Sequence, residues 1–431
     1  MIQPRIFLYD ELSPEDCAML QALYSRSAAS AAEHVAKVRK TGSGKFMETY
    51  YVGYSHKSIG DCGSTTLFFE GVSELAAKAI QDWQLYNGQQ TSTRYIDFTR
   101  QPVADPLGTA ASAAVLEGWM GFYREALEPV AARLRARYPR QSDESDDIYE
   151  KAVKARAFDI CRAFLPAGVT TQLSWHTNLR QAQDKLAWLA HHPLEELRTL
   201  ASLAIAALRE RYPNSFTGKL YPQQEEWREM AAAAQTYIAP AAHPEFQFHS
   251  SVDPQALARY RPLLKVRPVK TELPPFLDEL GMARFDFLLD FGSFRDIQRH
   301  RHGVCRMPLL TGSFGFHPWY LQELPEALRE RAAALIEEQL ARAAELKTTP
   351  EVRQYYLALG SLVPCRITSP LPAAVYTAEL RSGATVHPTL RPVAQRMCAA
   401  LQELYPDLTL HCDGSDDAFS IRRGEQDITE K

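Results

Sequence analysis

Apolar residues recur along this chain at two periods, and the places where one gives way to the other mark its elements. Ser13-Pro14-Glu15-Asp16 opens a helix: a hydroxyl for the N-cap, a proline in the first turn and acids at the positive end of the dipole. That helix is expected to run to about Tyr24. Thr65 to Phe69 is apolar and β-branched and reads as a strand. It leads into a helical stretch from Gly71 to Trp83, whose Leu75, Ala79 and Trp83 share one face. Val115, Trp119, Phe122, Tyr123 and Leu127 mark a longer amphipathic helix, expected to kink or break at Pro129. Gln141 to Asp147 is a solvated acidic loop. Further on, FDFLLDFG (Phe285 to Gly292) alternates as a strand entering a core does.

The pattern then repeats. FLPAG, TNLR (Thr177 to Arg180), HHP (His191 to Pro193) and an apolar helix ending RYP (Arg211 to Pro213) come first. SLVPC, TAELR (Thr377 to Arg381), VHP (Val386 to Pro388) and an apolar helix ending LYP (Leu404 to Pro406) follow in the same order. Upstream, Phe68 to Trp83 is echoed by Leu288 to His300. The same order twice implies a duplication. The join is expected between about Tyr212 and Ala258, where periodicity breaks. We therefore expect an N-terminal half over residues 1–215, a linker over 216–257 and a C-terminal half over 258–431.

Composition agrees with two domains. A chain of 431 residues is too long for one ordinary core, and 45% hydrophobic with 23% charged residues is globular. The formal net charge of -4 provides no global field for nucleic acid or an anionic membrane, so neither is an expected partner. An anion must then be held by a local Arg and Lys cluster. Acidic residues stand near the start where a signal peptide needs an apolar core, and LASLAIAAL (Leu200 to Leu208) is too short to span a bilayer. A cytoplasmic protein is expected. Seven scattered cysteines with no CxxC pair read as reduced thiols, not as a disulfide frame or zinc site. The twelve histidines form no HExxH, and no metal is expected.

Two segments carry candidate chemistry. RHRH (Arg299 to His302) is the densest basic cluster, able to hold a phosphate or an electron-rich ring. GQQTSTRY (Gly88 to Tyr95) offers a permissive glycine, two amides, three hydroxyls and Arg94, a set that suits an anionic nucleotide. Spacing alone favours the plainer reading of each, a solvated basic edge for the first and a polar turn for the second. Taken together they resemble the flavin-dependent thymidylate synthases, whose marks are an RHR triplet and a loop ending in Ser-x-Arg-Tyr. Tyr54 to Tyr95 follows that family's most characteristic region. His56 and Ser58 match its flavin-contacting positions, with Asp61 where the family has Glu. Ser92, Arg94 and Tyr95 match the nucleotide loop, with Gln90 in place of its carboxylate. Arg162, in RAFLP, matches an Arg that contacts the pyrimidine. Asn178 and Arg180 stand where the family places flavin-binding residues, while Asp184 and Leu189 replace a flavin-binding Asn and a phosphate-binding Arg. Asp82-Trp83-Gln84 occupies the place of the triplet in the first half. The second half keeps the triplet as Arg299-His300-Arg301 and keeps Arg381, but CRMPLLTG follows where the loop should stand.

The resemblance implies an α+β fold in two copies, each a twisted sheet flanked by helices. It implies a flavin-dependent enzyme that transfers a one-carbon unit to C5 of a uridine monophosphate, with FAD as cofactor and methylenetetrahydrofolate and NADPH as co-substrates. Arg162, Arg299, His300 and Arg301 would serve catalysis, and Gln90, Ser92, Arg94 and Tyr95 would bind the pyrimidine nucleotide. His56, Ser58, Asn178, Arg180 and Arg381 would hold the flavin. Because the family assembles four single-copy subunits, a homodimer of this chain would be the equivalent particle. The other reading is a non-catalytic scaffold derived from the family that binds nucleotide or flavin.

Overall fold

The structure, a computed structural model, describes residues 10–27, 29–54, 56–217 and 220–425. It is an α+β chain. Helix α1 (Pro14–Tyr24) begins and ends where the cap pattern puts it, the Ser13 hydroxyl accepting from the Asp16 N–H at 3.2 Å. α2 (Ala31–Thr41) opens on a capping box between Ser30 and Glu33. β1 (Ser64–Ser73) outruns its apolar stretch and delays α3 (Glu74–Gln81), because Gly71 takes a φ of 67° and Ser73, not Gly71, caps the helix. α4 (Ala110–Arg137) passes Pro129 without ending, so it is not broken there. Pro129 is exposed, while Val130, Ala131 and Leu134 beyond it are buried, and that burial offsets the roughly 3 kcal/mol a mid-helix proline costs. α5 (Asp146–Cys161) starts on the last two acids of the predicted loop. β2 (Thr170–Asn178), α6 (Leu179–Leu189) and α7 (Glu195–Arg211) follow.

The stretch read as a linker holds α8 (Pro222–Gln235) and β3 (Phe246–Ser250). β4 (Met282–Asp290) is the alternating strand, and α9 (Phe291–Ile297) leaves its end. Then come β5 (Val304–Arg306), α10 (Glu326–Glu345), β6 (Leu362–Pro370), α11 (Leu371–Ser382), α12 (Arg391–Leu404) and the short α13 (Arg422–Glu425). No helix among the described residues is long and apolar enough to cross a membrane.

The chain forms two compact units. The first takes residues 1–70, 85–89 and 173–236. Met19, Leu20, Val35 and Val38 of α1 and α2 make a core there, covered by Leu12, Leu23 and Phe46. The second takes residues 71–84, 90–172 and 237–431. Its antiparallel sheet runs β3-β4-β6-β5, with Phe285 of β4 opposite Phe248 of β3 and Ile367 of β6.

At the centre of the second unit, two turns pair with each other. The Ala167 N–H bonds to the Leu357 carbonyl at 2.7 Å, and the Leu359 N–H returns to the Leu165 carbonyl at 2.8 Å. Gly168 to Tyr355 (3.0 Å) and Gly360 to Ala163 (2.8 Å) repeat the reciprocity. The flanking elements match as well: Glu74 N–H bonds to Val169 as Phe291 N–H bonds to Ser361, and Thr170 N–H to Pro102 as Leu362 N–H to Gly315.

If the chain is a duplication, this pairing gives the echo another register. FLPAG is matched by Tyr356–Gly360, not by SLVPC, most of which lies inside β6. Arg381 therefore does not match Arg180. It stands as far beyond Pro370, the N-cap of α11, as Leu189 stands beyond Asn178, the N-cap of α6. The cysteine expectation is also corrected. Cys398 and Cys412 form a disulfide, because the chain doubles back along α12 and brings their Cα atoms to 6.4 Å. Cys17, Cys62, Cys161, Cys305 and Cys365 are free.

Candidate functional site

The loop after Gly88 is a closed turn. The Ser92 hydroxyl accepts from the Arg94 N–H at 3.2 Å, and the Ser92 carbonyl accepts from Ile96 at 3.1 Å. Gln90 is engaged internally: it accepts from Gln81 at 2.5 Å and donates to the buried Glu74 at 2.6 Å. Glu74 also pairs with Arg295, which reaches the Thr93 hydroxyl at 2.7 Å. This network fixes the loop from beneath. Arg94 leaves the turn and forks onto Asp159 of α5, Nε to Oδ1 at 2.8 Å and Nη2 to Oδ2 at 3.1 Å. Asp159 is fully buried. Burial alone would raise its pKa, but Arg423 and Arg94 hold it well below the usual carboxylate range. Tyr95 lies under the Arg423 guanidinium at 5.6 Å.

Arg162 follows α5 and is almost wholly buried. Its Nη2 donates to the Ser293 hydroxyl at 2.8 Å, and its Nε has no partner among the described residues. The triplet sits in the turn that ends α9, the His300 N–H bonding back to the Ile297 carbonyl at 3.0 Å. Arg299 is exposed and Arg301 half-buried. The His300 Nε2 accepts from the Arg381 Nε at 2.7 Å, so its proton resides on Nδ1. Burial and Arg381 push the pKa of His300 down to about 3. The triplet is thus two cations around a neutral ring.

Asp296, on α9, ties these parts together electrostatically. Burial works against its charge, yet Arg162, Arg299, Arg94 and Arg381 hold its pKa below the usual value. Arg381 in turn is pulled below the usual arginine range by burial, and the positive charges of Arg299 and Arg94 add to that. The charges of four guanidiniums are therefore felt at one carboxylate, the Arg299 Nε standing 4.0 Å from it, and a local excess of positive charge suits an anion. The motifs singled out Arg94, Arg162, Arg299, His300 and Arg381, all of which meet here. They missed Asp159 and Asp296, whose signal was their place three residues ahead of Arg162 and Arg299.

The first unit holds the remaining candidates. His56 and Ser58 are exposed beside a π-helix (Met47–Gly53). The His56 ring lies 6.1 Å from Tyr54 and 6.5 Å from Tyr50, and Tyr54 is 66% exposed. Asn178 caps α6, accepting from the Gln181 N–H at 2.8 Å. Arg180 donates to Asp61 at 2.6 Å and lies 3.7 Å from Asp184. The aromatic ladder fits a flat ring, and Arg180 fits an anionic group able to compete with Asp61.

The fold and the site define an α+β protein whose anion cluster is built from distant stretches of one chain. Residues 8–214, just under half of the chain, match the family described as thymidylate synthase complementing protein, in line with the resemblance to the flavin-dependent thymidylate synthases. A UPF0159 protein of Chlamydia muridarum is 26% identical, covering 82% of this chain and 77% of its own. One from Chlamydia pneumoniae is 24% identical over 84% and 78%, and one from Thermoplasma acidophilum 23% over 91% and 94%. The family is flavin-dependent in general and supports a thymidylate synthase-like function in broad terms.

Proposed function

We propose that this chain carries two copies of the family fold and uses one composite site to transfer a one-carbon unit to C5 of dUMP or a related uridine monophosphate. The observation that carries the reading is that Arg94 and Arg162, from the stretch that lacks the triplet, act on the same buried carboxylate, Asp296, as Arg299 and Arg381, from the stretch that lacks the loop, with Arg381 bonded to His300. Arg381 stands where the family's phosphate-binding Arg was lost as Leu189. Counted from the matched bonds of Glu74 and Phe291, Asp82-Trp83-Gln84 falls where Arg299-His300-Arg301 falls. The reciprocal bonding of the central turns supports the two-copy reading, and a homodimer would then equal the family's four-subunit particle.

Bound FAD would exchange reducing equivalents with NADPH during transfer from methylenetetrahydrofolate. His56 with its aromatic neighbours, Ser58, Asn178 and Arg180 would hold it. Arg94, Ser92 and Arg381 would bind the phosphate, with Tyr95 and Gln90 supporting the loop. Arg162 would favour negative charge developing on the pyrimidine. His300, neutral at physiological pH, would orient Arg381 through its Nε2 lone pair, flanked by Arg299 and Arg301. One observation favours the scaffold reading instead: Arg94 is already gripped by Asp159.

Calorimetric titration with UMP, dUMP and deoxyuridine separates the two. A nucleotide should bind and the nucleoside should bind far more weakly. Arg94→Lys and Arg381→Gln should each lose tenfold to a hundredfold in affinity, the worth of a charge-assisted bond of about 1.5–3 kcal/mol. Equal binding of nucleotide and nucleoside, or none, would leave the scaffold reading in place.

A further inference from the structure

The C-terminal segment beyond Cys412 runs from α12 past the end of α4 to α5 and is pinned along the way. Arg391 donates to the Asp416 carbonyl at 2.8 Å and the Ser415 hydroxyl at 2.6 Å, and Phe419 stacks on Tyr138 at 4.9 Å. Gly424 lies so close to α5 that a Cβ would come within 2.0 Å of the Ile148 carbonyl. Opposite this segment, Arg156 lies over the Trp319 ring at 5.0 Å and grips the Asp417 carboxylate with both terminal nitrogens. Arg423 reaches Asp159, the carboxylate that also holds Arg94.

Arg94, Arg156 and Arg423, with Thr385, Asp417 and Ser420, line a cavity of about 10 Å³, room for one water. Arg156 is 5% exposed and Arg423 7%. The Nε of Arg156, and the Nε and Nη2 of Arg423, are buried with no hydrogen-bond partner among the described residues. Buried donors on charged groups are costly when left unmade, and three of them beside one cavity ask for an anion with several acceptors. Asp417 supplies two oxygens to Arg156 and, at 29% side-chain exposure, has a route to solvent.

We propose that Arg156 and Arg423 form a phosphate-binding clamp beside Arg94, whose displaceable carboxylate is Asp417, while Glu323, 3.7 Å from Arg156, and Asp159 on Arg423 stay in place. A phosphate group displaces that carboxylate into solvent and takes up the donors it leaves open. Neither guanidinium belongs to the cluster around Asp296 named above, so the clamp can stand if the nucleotide reading falls. The ligand chemistry is a phosphate monoester or free phosphate.

The test is calorimetry on the full chain with inorganic phosphate and, separately, UMP. Asp417→Asn, which removes the competing charge at constant shape, should bind phosphate about tenfold more tightly than wild type, and Arg156→Gln about tenfold more weakly. Asp417→Ser replaces the Asn variant if its thermal melt shows loss of fold. If UMP gains as phosphate does and the two compete, the clamp takes a nucleotide's phosphate; if phosphate alone gains, it takes the free ion, and either result upholds the clamp. Loss of UMP binding in wild type with the phosphate gain intact would overturn the proposed function alone. Equal phosphate affinity in wild type and Asp417→Asn, no phosphate binding at all, or the same response to chloride at matched ionic strength would overturn the clamp.

Discussion

A histidine kept neutral among guanidiniums makes a definite statement about pH. His300 faces Arg381, Arg299, Arg301 and Asp296, and its folded pKa of about 3 lies below the 6.5 of an exposed imidazole. Below pH 6.5 the unfolded chain therefore takes up a proton that the folded chain refuses, and stability is lost as pH falls from 6.5 towards 3. Each such group contributes up to about 1.4 kcal/mol per pH unit across its window. His387, fully buried and bonded to Thr389 and the Asp159 carbonyl, is held well below 6.5 and adds to the slope, as does His317. Asp159 and Asp296 also have depressed values, but their contribution is lost only below the unfolded carboxylate pKa near 3.8. Urea midpoints should thus fall between pH 7 and pH 5, and His300→Gln should flatten that fall by about one proton. An unchanged slope in the variant would mean that folded His300 titrates normally.

The elements most legible in the sequence were those set by local grammar. Ser13-Pro14 placed α1 to the residue, and alternation placed β4. Register was less legible, because it is set by bonds between residues far apart in the chain. TNLR and TAELR look alike, yet counted from the reciprocal bonds of Leu165–Gly168 with Leu357–Gly360 the proposed copies would match Arg381 with Leu189. Pro129 and the Cys398–Cys412 bond were hidden for the same reason: what decides each is what packs against it. The site followed this division, its arginines visible as motifs and Asp159 and Asp296 visible only once the chain is folded. The paired turns also give a stability prediction. A Cβ at Gly360 would meet the Phe316 ring at 2.3 Å and the Ala163 Cβ at 2.8 Å, with no flexible side-chain end to give way. Gly360→Val should cost about 1–3 kcal/mol or more by overpacking, read as a lower denaturant midpoint at unchanged slope. A midpoint equal to wild type would show that the two turns can separate without loss.

At the scale of the whole molecule, two-fold bonding at the centre raises the question of how many nucleotides one chain can hold. If the chain holds two copies, as proposed, and they were functionally equal, a second cluster would stand at the matched positions. The residue matched to Arg162 is Gln354, whose carbonyl accepts from the Leu310 N–H at 2.9 Å and whose amide donates to Glu351. Arg381 is matched by Leu189, and His300 by Trp83. No cation remains at these three positions to hold a phosphate or to favour charge on a pyrimidine. The amide of Gln354 is instead engaged with Leu310 and Glu351. The duplication would then have left one working site per chain, with one copy lending the loop and the other the triplet. Titration of the full chain with dUMP should saturate at one nucleotide per chain, as judged against protein concentration from absorbance. Arg381→Gln should weaken that single transition by tenfold to a hundredfold, with no fraction left that binds at wild-type affinity. Two equivalents bound in wild type, or a half-occupied transition surviving in Arg381→Gln, would show that the matched positions retain a second site and that the copies are not complementary.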